Sequence, residues 1–268
     1  MKVHFLNCAT MHPRGARFFM PYFASVPSLC LLVESDGQLV LVDSGTGVKD
    51  AEEPRRLGHA NLLLNADRDP QGTAIRQIER LGKRPEDVKH IICTHLDRDH
   101  VGGLPDFPEA RVHVFRAEWE AAMRPASLAE KDRYRPCHFA HGPDWVLHET
   151  LSARDWFGLE CIRELPGLGP GFLLIPLPGH TRGHCGVALE TDDGWLLHCG
   201  DACYVGEELD DQPHLPLGIR LFRRIAHVQY AEAMLQMERL RGALRESAGS
   251  VATLASHDAA ACRRLCNL

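Results

Sequence analysis

Between His95 and Leu104 the chain reads His-Leu-Asp-Arg-Asp-His-Val-Gly-Gly-Leu, which sets four potential metal ligands, His95, Asp97, Asp99 and His100, into six positions. A strand has a side-chain period of two and cannot turn residues spaced by one and two onto a single face. The apolar run Ile91-Ile92-Cys93 just upstream reads as a buried strand, so the chain leaves that strand at His95 and curls. The curl gathers the four side chains around a common centre, and Gly102-Gly103 is expected to give the backbone room to turn into a helix. Imidazole and carboxylate at this density suit a divalent cation, and the chemistry implied is metal-dependent catalysis.

Three further ligand types end apolar runs: His180 in Pro-Leu-Pro-Gly-His-Thr, Asp201 in Cys-Gly-Asp, and His257 in Ala-Ser-His-Asp. Sites of layered folds collect on loops at strand ends, where the sheet fixes the backbone and the loop chooses the side chain. A lone histidine there is usually satisfied locally, and a lone aspartate more often caps a helix. The dense cluster at 95–100 is what argues for a site.

The elements that must position these residues can be read from patterning. Ser28 to Glu34 and Leu39 to Val42 form a hairpin around Ser35-Asp36-Gly37-Gln38, ending at Asp43-Ser44-Gly45. The N-terminus starts like an edge strand, and 53–69 reads as irregular or loosely helical. Ile75, Ile78 and Leu81 mark a helix stopped by Gly82. Lys89 to Cys93, Arg111 to Phe115, Gly171 to Pro176, Cys185 to Thr191, Gly194 to Cys199 and Val251 to Ala255 read as strands, and Val228 to Arg245 as an amphipathic helix. Both halves run strand-rich and then helical, as two mixed sheets packed between outer helices would require. Residues 1–268 are expected to form one domain, with the proline-rich stretch 124–169 as a covering insertion.

Composition removes several classes. The net charge is −6 with charges mixed along 268 residues, so no basic stripe offers itself to nucleic acid. No apolar run reaches membrane-spanning length, and the N-terminal stretch is broken by Asn7 and His12, unlike a signal peptide. Ten cysteines are scattered, with Cys30, Cys93, Cys161 and Cys199 inside apolar runs; they read as mainly free thiols of a cytoplasmic protein.

In these residues the chain resembles the metallo-beta-lactamase superfamily, over nearly its whole length. The family order is H-x-H-x-D-H, a later histidine, a bridging aspartate and a final histidine, matched by His95, Asp97, Asp99, His100, His180, Asp201 and His257. The resemblance implies an α/β fold, an αββα sandwich of two mixed sheets. It also implies two divalent metal ions, zinc first, with iron or manganese as alternatives. By carry-over His95, Asp97 and His180 hold one ion, Asp99, His100 and His257 the other, and Asp201 bridges. Asp43 in Val-Asp-Ser-Gly supports the site from behind, and His184 braces it. Asp97 departs from the pattern, since the family has histidine there. A harder anionic ligand shifts the first site towards harder metals.

Hydrolysis by a metal-activated water follows, with no serine or cysteine nucleophile. Pro178-Gly179-His180-Thr181 with Gly183-His184, and Asp201-Ala202-Cys203-Tyr204, are similar to the P-G-H-[ST]-x-G-H and D-A-x-Y segments of N-acyl homoserine lactone hydrolases. That likeness implies Tyr204 as a donor to the lactone carbonyl oxygen and Asp99 as the proton shuttle. The expected partner is a small molecule with an apolar portion. Gly206 to Phe222 would line its pocket or a homodimer contact, and Met20-Pro21-Tyr22-Phe23 would form another wall. Phosphoesters, thioesters and an iron-based redox role are the competing readings.

Overall fold

The computed structural model describes residues 1–16, 24–149 and 154–266. Met20 to Phe23, expected as a pocket wall, lie outside the described residues. Six strands form the first sheet. β1 (Lys2–Met11), β2 (Val26–Ser35) and β3 (Gln38–Val42) run antiparallel, and β4 (Val88–Ile92), β5 (Arg111–Phe115) and β6 (Asp144–His148) continue from β3 in parallel. β7 (Arg154–Trp156) and β8 (Leu159–Glu160) make a separate small ribbon. In the second sheet β9 (Phe172–Pro176), β10 (Cys185–Thr191) and β11 (Gly194–His198) are antiparallel, and β12 (Val251–Leu254) is parallel to β11. Helices pack outside both sheets, giving the αββα sandwich.

The period-two alternation explains why these runs are apolar at every position. Leu29, Leu31 and Val33 of β2 share the inter-sheet core with Phe172, Leu174 and Val187. The intervening Cys30 and Leu32 join the outer cluster with Ala74, Ile78 and Ala121 from helices. Across the sandwich, Leu173 and Ile175 of β9 meet Met237, Leu240 and Ala243 of the helix Tyr230–Glu246. Each fully buried leucine or isoleucine contributes about 1.5–3 kcal/mol. Cys30, Cys93, Cys161 and Cys199 are all buried among these residues, as small hydrophobes.

Turn chemistry sets the register. Asp36 and Gly37 both have positive φ (49° and 76°), the two-residue hairpin turn in which Asp-Gly is favoured, and Ser35 pairs with Gln38 across it. The helix Ala74–Arg80 follows Thr73 and ends at Gly82, where φ is 71°.

One feature differs from expectation. Gly102 and Gly103 have negative φ (−57° and −80°), so the turn does not demand glycine. What demands it is proximity: a Cβ on Gly103 would stand 2.5 Å from the Ser44 carbonyl oxygen. Within 124–169, residues Asp144–His148 form the sixth strand of the first sheet, while the helix Leu128–Arg133 lies over the ligand cluster. Gly206 to Phe222 contains the start of a helix, Leu217–Ala226, entered through Pro216. Among the described residues no helix is long and apolar enough to cross a membrane.

Candidate metal centre

Parallel pairing places the carboxyl ends of β3 and β4 together, and likewise those of β11 and β12. Asp43 follows β3, His95 follows β4, Asp201 follows β11 and His257 follows β12. His180 comes from the loop between β9 and β10, where Gly179 adopts φ 133° and passes so close to Ala233 that no side chain fits. Gly200 is equally confined: a Cβ there would lie 2.5 Å from His184 Nε2.

Four imidazoles converge with the same polarity. His95 Nδ1 is 2.9 Å from Thr94 Oγ1, whose hydroxyl donates to Asp43 Oδ2 at 2.7 Å. His100 Nδ1 donates to Asp43 Oδ2 at 2.8 Å. His257 Nδ1 donates to the Pro27 carbonyl at 2.6 Å, and His180 Nδ1 lies 3.1 Å from the Tyr204 hydroxyl. Every Nε2 therefore faces inward, the arrangement by which protein groups orient metal-ligating histidines. Asp43 carries this bracing with φ at 54° and all its carboxylate contacts turned to Thr94 and His100. His184 has no nitrogen left over. Its Nδ1 donates to Leu177 O at 3.0 Å, and its Nε2 accepts the Asp201 N–H at 2.9 Å.

The inward atoms form three overlapping groups, each with ligand atoms within 4.8 Å: His95, Asp97 and His180; His95, His100 and Asp201; Asp99, His100 and His257. Asp201 spans them, its Oδ1 3.2 Å from His100 Nε2 and its Oδ2 3.1 Å from His257 Nε2 and 3.4 Å from His180 Nε2. Among the described residues, four of these buried atoms, His95 Nε2, His100 Nε2, Asp97 Oδ1 and Asp201 Oδ1, lack a hydrogen-bond partner. Stranding that many buried polar atoms is costly, and a cation is the group that would satisfy lone pairs of both kinds at once. Burial opposes charge on the aspartates. Even so, Arg133 and His95 hold Asp97, and His257 and His100 hold Asp201, well below the usual carboxylate range, in the ionised form a metal requires.

The two-sheet fold agrees with what known proteins of similar sequence show. Residues 25–246 match the profile of the Metallo-beta-lactamase superfamily. The chain belongs to that superfamily. Among its members, the "Probable metallo-hydrolase Rv2300c" of Mycobacterium tuberculosis is 44% identical over 222 residues, 82% of this chain and 68% of that protein. The N-acyl homoserine lactonase AiiA of Bacillus thuringiensis subsp. kurstaki is 27% identical over 192 residues, 70% of this chain and 68% of that one. A solved N-acyl homoserine lactone hydrolase, with N-hexanoyl-L-homoserine at its catalytic metal center, superposes with TM-score 0.71 at 22% identity, covering 98% of this chain and 95% of that one. That structure shares the superfamily fold. The present chain thus has the architecture of a metal-dependent hydrolase, with His/Asp clusters that could hold metal.

Above the cluster lies a cavity of about 540 Å³. Asp97, Asp99, His180, Asp201 and His257 form its floor, and Met11, Val26, Leu64, Phe222, Ile225 and Val228 its apolar walls. Tyr204 reaches this cavity while its side chain is otherwise buried, stacked against His257 at 6.1 Å between ring centroids. Asp99 is the more open carboxylate of the floor, with Oδ2 3.6 Å from His257 Nε2.

Three residues of this neighbourhood escape a sequence reading. Glu118 accepts hydrogen bonds from Leu96 N (2.9 Å) and Gly183 N (3.0 Å), tying the two ligand loops together from a fully buried position. Its signal was a carboxylate sharing the helical face of Ala121 and Ala122. Arg133 and His227 also line the cavity, His227 Nδ1 standing 3.3 Å from His180 Nδ1. Arg133 sits in Lys-Asp-Arg, which reads as solvated charge, and His227 lies between two helices without any motif.

Proposed function

We propose that this protein is a metal-dependent hydrolase that opens a lactone or cleaves a related ester, with N-acyl homoserine lactones as the substrate class. The observation that carries this reading is a convergent, partly unsatisfied His/Asp floor beneath a cavity lined in part by apolar side chains. The likeness to AiiA and the Asp201-Ala202-Cys203-Tyr204 segment support the lactone as substrate.

His95, Asp97 and His180 would hold one divalent ion, Asp99, His100 and His257 a second, and Asp201 would bridge, zinc being the first choice. Ions bound there supply an activated water and polarise the substrate carbonyl. The protein's own contribution is position. Met11, Val26, Leu64 and Phe222 hold an acyl chain away from water, which orients the polar head over the floor. Tyr204 keeps its phenolic proton, because burial and the charge of Asp201 push its pKa well above the ordinary range; it can donate to the carbonyl oxygen without adding charge. Asp99 lines the same cavity and would pass a proton to the leaving alkoxide. The ten thiols fit the reduced conditions of the cytoplasm.

The test is hydrolysis of N-hexanoyl homoserine lactone and of p-nitrophenyl acetate by the metal-replete protein. Lactone turnover exceeding ester turnover in kcat/KM by about tenfold or more is expected. Inertness towards the lactone, with brisk cleavage of a phosphoester, would overturn the substrate assignment.

A further inference from the structure

The two metal clusters are not equivalent, and the difference lies in one side chain that the superfamily pattern does not include. The helix Leu128–Arg133 begins at Ser127, whose Oγ accepts the Glu130 N–H at 3.1 Å, and its last residue projects onto the cavity floor. Arg133 Nη1 hydrogen-bonds Asp97 Oδ2 and stands 2.8 Å from His180 Nε2, while Nη2 donates to the Ala226 carbonyl at 2.6 Å. The guanidinium is 17% exposed. Asp97 Oδ2 and His180 Nε2 are 3.1 Å apart, and His95 Nε2 is 3.4 Å from the same oxygen. The cationic nitrogen therefore sits on two of the three donors of the first cluster.

A guanidinium is a pure donor that keeps its charge. The lone pair of His180 Nε2 that receives the Arg133 hydrogen is the lone pair a metal would need. One lone pair cannot serve both, and a fixed positive charge in contact with two ligands repels an incoming divalent cation. Among the described residues, no guanidinium or ammonium group forms an ion pair with the second cluster: the groups facing Asp99 and Asp201 are the imidazoles of His100, His180 and His257. Charge tells the same story. Where the family has a neutral histidine this chain has Asp97, and the added negative charge is matched by Arg133, held by a helix end and a backbone carbonyl.

We propose that Arg133 competes with metal for the His95–Asp97–His180 cluster, so that the Asp99–His100–His257 cluster with Asp201 fills first and tightly. The first cluster fills only as the guanidinium withdraws from Asp97 and His180. This inference rests on the reading that both clusters are metal sites. It makes Arg133 a positioning residue that sets metal stoichiometry.

The experiment is calorimetric titration of the metal-stripped 268-residue chain with zinc, with elemental analysis of the gel-filtered product, for wild type, Arg133→Met and His257→Ala. In wild type one zinc should bind tightly and a second at least tenfold more weakly. Arg133→Met should narrow that gap at least tenfold by tightening the second event. His257→Ala should remove the tight event and spare the weak one. Two events of equal affinity in wild type would overturn the proposal even if a variant failed to fold, as would a gap unchanged in a folded Arg133→Met protein. Equal affinities leave the metal-centre reading intact, whereas no zinc bound by wild type would overturn both.

Discussion

Each inward-facing imidazole owes its orientation to a partner on its other nitrogen: Thr94 for His95, Asp43 for His100, Pro27 O for His257 and Tyr204 for His180. The consequences are specific. Asp201→Ala removes the group that touches both clusters, so bound metal should fall by at least one ion per chain and kcat/KM by a factor on the order of 10³, measured by elemental analysis and lactone turnover. Unchanged metal content in that variant would contradict a bridging role. Tyr204→Phe keeps the ring packed on His257 and Phe222, so metal should stay while kcat falls about tenfold or more. An unaltered kcat would remove Tyr204 from the reaction. The ligand types were legible in the sequence because dense spacing and strand-end position coincide at His95, Asp97, Asp99 and His100. Arg133 and His227 were not, since they reach the cavity floor only through the packing of helices whose placement no local pattern encodes.

At the scale of elements, buried strands announce themselves by continuous apolar runs, as in β2 and β4, where both faces are covered. β6 is an edge strand with half-buried residues, and its Asp-Trp-Val-Leu-His hardly differs from loop sequence. The helix Leu217–Ala226 was hidden by the prolines before it, and by Leu217, Leu221 and Ile225 staying exposed. One feature crosses three strands: His90 Nδ1 is 2.9 Å from His113 Nε2, and His113 Nδ1 is 3.0 Å from His148 Nε2. Burial, then the neighbouring imidazoles and Arg111, depress His113 to about 3, and burial alone depresses His148 to about 4. Both folded values lie below that of the unfolded chain, so their stabilising contribution is full above pH 6.5. It is lost progressively as pH falls towards 4 and then 3. Urea unfolding at pH 7.5 and pH 5 should show wild type losing at least about 1 kcal/mol more than His113→Gln over that interval. Equal losses would show that the three histidines do not set acid sensitivity.

For the whole molecule, the inter-sheet core and two helix-covered faces hold four strand ends at one edge, and the cavity opens there. The sandwich is a frame that converts pairing register into ligand geometry. A cation bound only by that folded frame must stabilise it by mass action. Chelation should therefore lower the midpoint of thermal unfolding by several degrees, restored by re-adding zinc, and an unmoved midpoint would mean the clusters do not bind metal in the native fold. The most direct test of the central claim is the anomalous diffraction signal of crystals grown with zinc. A peak is expected at about 2.0–2.1 Å from both His100 Nε2 and His257 Nε2, with Asp99 and Asp201 oxygens completing the shell. A map with no peak among these four side chains would contradict it.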